Sequence, residues 1–119
     1  MASVVALVDD LLFGSNLVGA LRAAGHQVTL VADASRAAGA ASGADVLIVD
    51  LASGTIDPAA LLVGITADGR PATLASYAHV HPEMRAAAEA AGFDRVVPRS
   101  RLAREAPVLV SALAGSPPR

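Results

Sequence analysis

Two stretches of the chain decide its fold: SVVALVDD at residues 3–10 and DVLIVD at residues 45–50. Each is a β-branched apolar run that ends in aspartate, which is typical of a central strand buried on both faces of a parallel sheet. In such sheets ligands bind beyond the carboxyl ends of the strands, where the winding direction reverses. The pattern therefore predicts that Asp9, Asp10 and Asp50 meet in one pocket at that edge.

The rest of the chain alternates apolar runs with helical patterns, and this predicts an α/β fold. We expect a flavodoxin-like, doubly wound sheet of five parallel strands in the order 2-1-3-4-5, covered by five helices. The predicted strands are 3–8, 26–32, 45–50, 71–76 and 94–97. The predicted helices begin at a Ser15 cap, at 34, at Asp57-Pro58, at His81-Pro82 and near Pro107. One domain is predicted over residues 1–115, with a turn at 68–69 and a flexible tail at 116–119.

Composition narrows the function classes. Of 119 residues, 54% are hydrophobic, but the longest apolar stretches are too short to span a bilayer, so no membrane is predicted as a partner. The net charge is −2 and there is no basic stripe, so no nucleic acid is predicted either. There is no cysteine, which excludes disulfides and thiolate metal sites. The start of the chain lacks the charged segment of a signal peptide, which predicts a cytoplasmic protein. All nine basic residues are arginine.

Two further polar residues follow predicted strands: Ser76 after PATLA and Arg99 after RVVP. Three carboxylates placed together repel one another, and a hard divalent cation such as Mg²⁺ relieves that repulsion. A phosphoryl group on Asp50 would complete the coordination of the metal. The Ser76 hydroxyl and the Arg99 guanidinium could each bind a phosphoryl oxygen, so these residues predict a phosphate-and-metal site.

The motifs VALVDD, DVLIVDLAS, PATLAS and AAAEAAGFDRVVPRS, in this order, resemble the receiver domains of bacterial two-component response regulators over essentially the whole chain. The resemblance implies that Asp50 is the phosphoacceptor and Ser76 the switching hydroxyl. It implies that Asp9 and Asp10, with the backbone carbonyl of Ala52, hold weakly bound Mg²⁺ or Mn²⁺.

The resemblance also implies the partners of the chain. These are a histidine kinase or phosphotransfer protein, a downstream protein, and a second copy bound through helix 4, strand 5 and helix 5. No enzymatic activity is implied beyond self-phosphorylation from a phosphodonor and self-dephosphorylation.

The chain departs from the receiver pattern at four positions. Arg99 replaces an almost obligatory lysine, and Ser100 replaces a proline. Val96 replaces a frequent aromatic residue. Tyr77 replaces a small residue, and its ring could shield the pocket from the phosphohistidine of a kinase. Arg99 could clamp Asp50 in the absence of phosphate, or could reflect only the lack of lysine in this chain.

Three functions therefore stay open on the sequence. The first is a stand-alone receiver phosphorylated on Asp50. The second is a pseudo-receiver, an interaction or dimerisation module that does not cycle through phosphorylation. The third, a flavodoxin-like domain for a small molecule, is disfavoured because no glycine-rich phosphate loop follows the first strand and aromatic residues are few.

Overall fold

The computed structural model describes residues 2–65 and 70–115, so the predicted turn at 68–69 and the predicted tail at 116–119 lie outside the described residues. The strands are β1 (Ser3–Leu7), β2 (Gln27–Val31), β3 (Val46–Asp50), β4 (Ala72–Tyr77) and β5 (Arg95–Pro98). The helices are α1 (Leu11–Ala23), α2 (Ala34–Ala41), α3 (Pro58–Val63), α4 (Glu83–Ala91) and α5 (Arg99–Ala114).

All five strands are parallel and run in the order β2-β1-β3-β4-β5, which confirms the predicted doubly wound sheet. β3 lies at the centre, and all five of its residues are buried. Its side chains alternate between two apolar clusters, one on each face. α1 and α5 cover the first face, and α2, α3 and α4 cover the second.

The first helix begins a full turn earlier than predicted. The sequence suggested Ser15 as its cap, but α1 starts at Leu11 and Asp10 is the capping residue. The backbone of Asp10 is extended, and its carboxylate accepts a hydrogen bond from the Phe13 N–H at 3.0 Å. Aspartate caps a helix as well as serine does, so the earlier of two good caps is used here.

The last helix also begins earlier than predicted. Pro107 was expected in its first turn, but α5 begins at Arg99 and carries Pro107 in its interior. Proline cannot donate to the carbonyl four residues back, that of Ala103. Ala103 is exposed, so water can replace the missing donor. The buried face of α5 is formed by Leu102, Ala106, Leu109 and Val110, whereas Val108 is 68% exposed.

The predicted start of the third helix is confirmed. Asp57 caps α3 through the N–H groups of Ala59 and Ala60, with Pro58 as the first helical residue. Gly92 ends α4 with a φ of 103°, a conformation that glycine adopts at little steric cost. Within residues 2–65 and 70–115, no helix has the length and apolar character needed to cross a bilayer.

Candidate functional site

The polar site lies where β1, β3 and β4 end and α5 begins. The register pairs Asp50 with Ser76 across β3 and β4, so the two side chains leave the sheet side by side. Asp10 follows β1, the other neighbour of β3, and Arg99 directly follows β5. The structure thus brings together Asp10, Asp50, Ser76 and Arg99, four of the residues singled out in the sequence.

Asp50 is the buried centre of this site, with only 1% of its surface exposed. Its Oδ1 accepts hydrogen bonds from the Ser76 hydroxyl at 3.0 Å and from the Ala52 N–H at 3.2 Å. Its Oδ2 accepts from the Nη2 of Arg99 at 2.9 Å. Burying an ionised carboxylate is costly unless it is paired and hydrogen-bonded, and Asp50 meets both conditions.

Arg99 bridges the two carboxylates. The same Nη2 that donates to Asp50 donates to Asp10 Oδ2 at 3.1 Å. The guanidinium lies over the ring of Phe13, 4.0 Å from its centroid. Its Nε is buried and has no hydrogen-bond partner within the described part of the chain. The expected contact between Arg99 and Asp50 is therefore present. It is made by one nitrogen that donates to two carboxylates, and not by two nitrogens that donate to the same carboxylate.

The carboxylate of Asp10 both caps a helix and pairs with Arg99. Its Oδ1 caps α1 by accepting from Phe13, and its Oδ2 accepts from Arg99. The Phe13 N–H is the larger cause and Arg99 the next, and together they hold the pKa of Asp10 below the usual 3.8. Asp10 therefore stays ionised at neutral pH and faces Arg99 as a full negative charge.

Asp9 does not join this cluster, which corrects the expected pocket of three carboxylates. Successive side chains of an extended backbone point to opposite faces, so Asp9 and Asp10 diverge. Asp9 lies with Asp33 and Asp57 on a crevice of about 750 Å³ between α2 and α3. Among the residues that the structure describes, no three His, Cys, Asp or Glu side chains lie close enough together to hold a metal ion.

In this arrangement the guanidinium of Arg99 lies against two of the carboxylates that were predicted to hold the metal ion. Carboxylates suit Mg²⁺, but Nη2 of Arg99 already binds one oxygen of Asp10 and one oxygen of Asp50. The guanidinium also contacts both carboxylates, and it cannot lose its charge. The backbone of Ala52 contributes its N–H to Asp50, and its role as a carbonyl ligand stays a prediction.

Phe13 is the residue of this site that the sequence analysis missed. It is half-buried and packs against the cluster beneath α1 and α5. Its N–H donates a hydrogen bond to Asp10, and its ring stacks against the guanidinium of Arg99. The available signal was its spacing, three residues after Asp10, which is the spacing of a cap and the N–H that it accepts.

Two of the unusual positions now have a structural description. Tyr77 is half-buried and packs against the cluster on the opposite face of the sheet, so its ring serves packing there. Ser100 is exposed in the first turn of α5. The peptide bonds of the described residues, including the one before Ser100, are all trans.

Comparison with solved structures identifies the fold. The receiver domain of the sensor histidine kinase PA1611 from Pseudomonas aeruginosa PAO1, solved with a magnesium ion in its active-site cleft, superposes with a TM-score of 0.82 at 20% identity, over 97% of this chain and 98% of that one. The receiver domain of the Francisella response regulator 1452 gives 0.79 at 17% identity, over 96% and 97%. A CheY-like protein, TadZ, from P. aeruginosa PAO1 gives 0.71 at 24% identity, over 100% and 98%.

The chain therefore has the receiver-domain fold of response regulators, as the motifs predicted. These identities establish the fold alone. No family model matches the chain, and no curated protein matches its sequence significantly.

Proposed function

We propose that this chain is a receiver module of a phosphorelay, which accepts a phosphoryl group on Asp50 and signals through protein contacts. One observation carries the proposal: a carboxylate at the end of the central strand contacts a hydroxyl, a cation and, through that cation, a second carboxylate. In this fold the carboxyl ends of the strands are the place where ligands bind.

The chemistry would use these side chains directly. A carboxylate oxygen of Asp50 attacks the phosphorus of a phosphohistidine on a histidine kinase or phosphotransfer protein, and the imidazole leaves. The Ser76 hydroxyl and the Arg99 guanidinium then bind phosphoryl oxygens, because both already contact Asp50. Phosphoryl transfer needs mainly positioning and charge neutralisation, which these groups can supply. No further enzymatic activity is proposed.

Arg99 limits both the access of a phosphodonor to Asp50 and the conformational response to phosphorylation. It covers Asp50 Oδ2, and Asp50 is 1% exposed, so the donor reaches this oxygen only after the guanidinium moves. Because Arg99 already pairs with the bare carboxylate, phosphorylation exchanges one anionic partner for another. A ligand shifts a conformational equilibrium only by its differential interaction with the two states. We therefore expect a small conformational response, enlarged in part by Arg99→Lys and further by Arg99→Lys with Ser100→Pro.

Output would go through the face formed by α4, β5 and α5, towards a downstream protein or a second copy of the chain. This face borders the site, because Arg99 begins α5 immediately after β5. Val108 of α5 has an exposed apolar side chain. Crosslinking of the phosphorylated protein tests this assignment, and crosslinks confined to α2 and α3 would contradict it.

Intact mass spectrometry tests the phosphorylation directly. The protein is incubated with acetyl phosphate, with and without Mg²⁺, and we expect the mass of one added phosphoryl group. Asp50→Asn should abolish the gain. Asp45→Asn is the matched control, because Asp45 lies at the opposite end of β3 and binds the Ser3 N–H. A gain that survives Asp50→Asn contradicts the proposal.

The second candidate is a constitutive interaction module of the same fold. It is favoured by the burial of Asp50 and its pairing with Arg99, which satisfy the carboxylate without any phosphoryl group. A folded wild-type protein that gains no mass from acetyl phosphate would support this function instead.

A further inference from the structure

We propose that Arg99, positioned by Phe13, is the resident cation of this pocket, and that a divalent metal ion enters only when Arg99 leaves. The inference rests on the proposed function, since it concerns how the same site is regulated. Asp10 and Asp50, two of the predicted metal ligands, are both bound to Arg99.

Arg99 and a metal ion would claim the same oxygens. Nη2 lies 3.1 Å from Asp10 Oδ2 and 2.9 Å from Asp50 Oδ2, so one positive group pairs with both carboxylates. A divalent ion bound to these oxygens would lie within a few ångströms of a guanidinium that keeps its charge. Repulsion at that distance makes the two cations mutually exclusive.

Phe13 makes this arrangement specific. Its N–H fixes Asp10 Oδ1, and its ring lies 4.0 Å beneath the centre of the guanidinium. One residue of α1 thereby sets the position of the carboxylate and of the cation that pairs with it. Because Phe13 packs against the apolar cluster under α1 and α5, its ring is held in place. Phe13 is thus a positioning residue, which acts through Arg99.

The arrangement can also be released. Arg99 contacts both carboxylates through a single nitrogen, and its buried Nε has no hydrogen-bond partner in the described ranges. A buried polar group without a partner is unfavourable, so this part of the side chain gains hydrogen bonds when it moves into water. The side chain of Arg99 is already 28% exposed, which leaves it a path outwards.

Titration calorimetry with Mn²⁺ alone tests the inference without any phosphodonor. The wild type should bind weakly. Arg99→Met, which removes the charge, should bind at least about tenfold more tightly, because the carboxylates then lack a cation. Phe13→Leu should tighten binding by about threefold to tenfold, since it removes the stacking that holds the guanidinium, and Phe13→Tyr should restore the wild-type value.

Two matched controls separate local from general effects. Arg101→Met removes a nearby charge that pairs with Glu105, outside the site. Phe93→Leu removes an aromatic ring from the opposite face of the sheet. Neither should change the affinity for Mn²⁺. If Arg99→Met and Phe13→Leu bind Mn²⁺ no more tightly than the wild type, the inference is overturned, and if Arg99→Met does not fold, Phe13→Leu alone decides.

The failure of this inference and of the proposed function give different results. Tighter metal binding by Arg99→Met with no phosphorylation of any variant would keep the inference and reject phosphoryl transfer. Equal metal affinity in wild type and variants, with Asp50 phosphorylated, would reject the inference and keep the function.

Discussion

Removing the charge of Arg99 should destabilise the fold, and removing the charge of Asp50 as well should recover part of the loss. Asp50 is 1% exposed and lies 2.9 Å from Arg99, whose side chain is 28% exposed. Two unit charges about 4 Å apart attract by about 4 kcal/mol at an effective dielectric constant near 20. Partial exposure of Arg99 reduces this, so Arg99→Met should lower the free energy of unfolding by about 3 kcal/mol.

Asp50→Asn keeps the shape of the side chain and should cost about 1–2 kcal/mol by weakening its hydrogen bonds. The double variant no longer contains an unpaired buried carboxylate, so it should be about 2 kcal/mol more stable than the sum of the single effects implies. The assay is urea unfolding of the four proteins, followed by far-ultraviolet circular dichroism. Additivity to within about 0.5 kcal/mol would refute the reasoning, since it would mean that the two charges do not interact.

Three further predictions follow from single positions. Because the pKa of Asp10 is lowered, its stabilising effect is present above the usual 3.8 and is lost as the pH falls through its lower folded value. In urea unfolding at several acidic pH values, the free energy of unfolding should therefore fall less steeply with decreasing pH for Asp10→Asn than for the wild type. An equal fall in both proteins would contradict this. Gly92→Ala should lower the free energy of unfolding by about 1–2 kcal/mol, because a φ of 103° is unfavourable for a residue with a Cβ. The added Cβ would meet no other atom in the described structure, so the loss reports the backbone conformation alone. Gly19→Ala, in an equally open position inside α1, is its control and should stabilise by up to about 1 kcal/mol. Pro107→Ala should raise the thermal midpoint, with about 1–2 kcal/mol gained, because it restores the hydrogen bond to Ala103; a lower midpoint would show that the ring's packing matters more.

The sheet could be predicted from the sequence because its signals are local. The run VLIV before Asp50 is apolar at every position, and all of β3 is buried. Once the strand order follows from the alternation of strands and helices, Asp50, Ser76 and Arg99 must leave neighbouring strand ends. This part of the site needs no knowledge of side-chain conformation.

The rest depends on competition and on long-range contacts. Asp10 and Ser15 are both good helix caps, and only the packed structure shows that Asp10 is used. A helix that begins after Ser15 does not include Phe13, and the contact of Phe13 with Arg99 joins residues that are far apart in the chain. Pro107 likewise suggested a helix start, because proline is unfavourable inside a helix. The sequence does not show that Ala103, whose carbonyl loses its donor, is exposed to water.

The opposite directions of Asp9 and Asp10 follow from the extended backbone, but the choice of partner does not. A pair of adjacent aspartates can share one cation or serve two sites. Here Arg99 approaches from the face of α1 and α5 and reaches Asp10, while Asp9 lies on the crevice beside α2 and α3.

The position of the Arg99 guanidinium when Mg²⁺ is abundant tests the central claim most directly. A crystal structure of the unphosphorylated protein grown in millimolar Mg²⁺ should show Nη2 within hydrogen-bond distance of Asp10 and Asp50, the guanidinium over Phe13, and no ion between the carboxylates. An ion coordinated by Asp10 and Asp50 while Nη2 of Arg99 keeps its contacts with both carboxylates would contradict it.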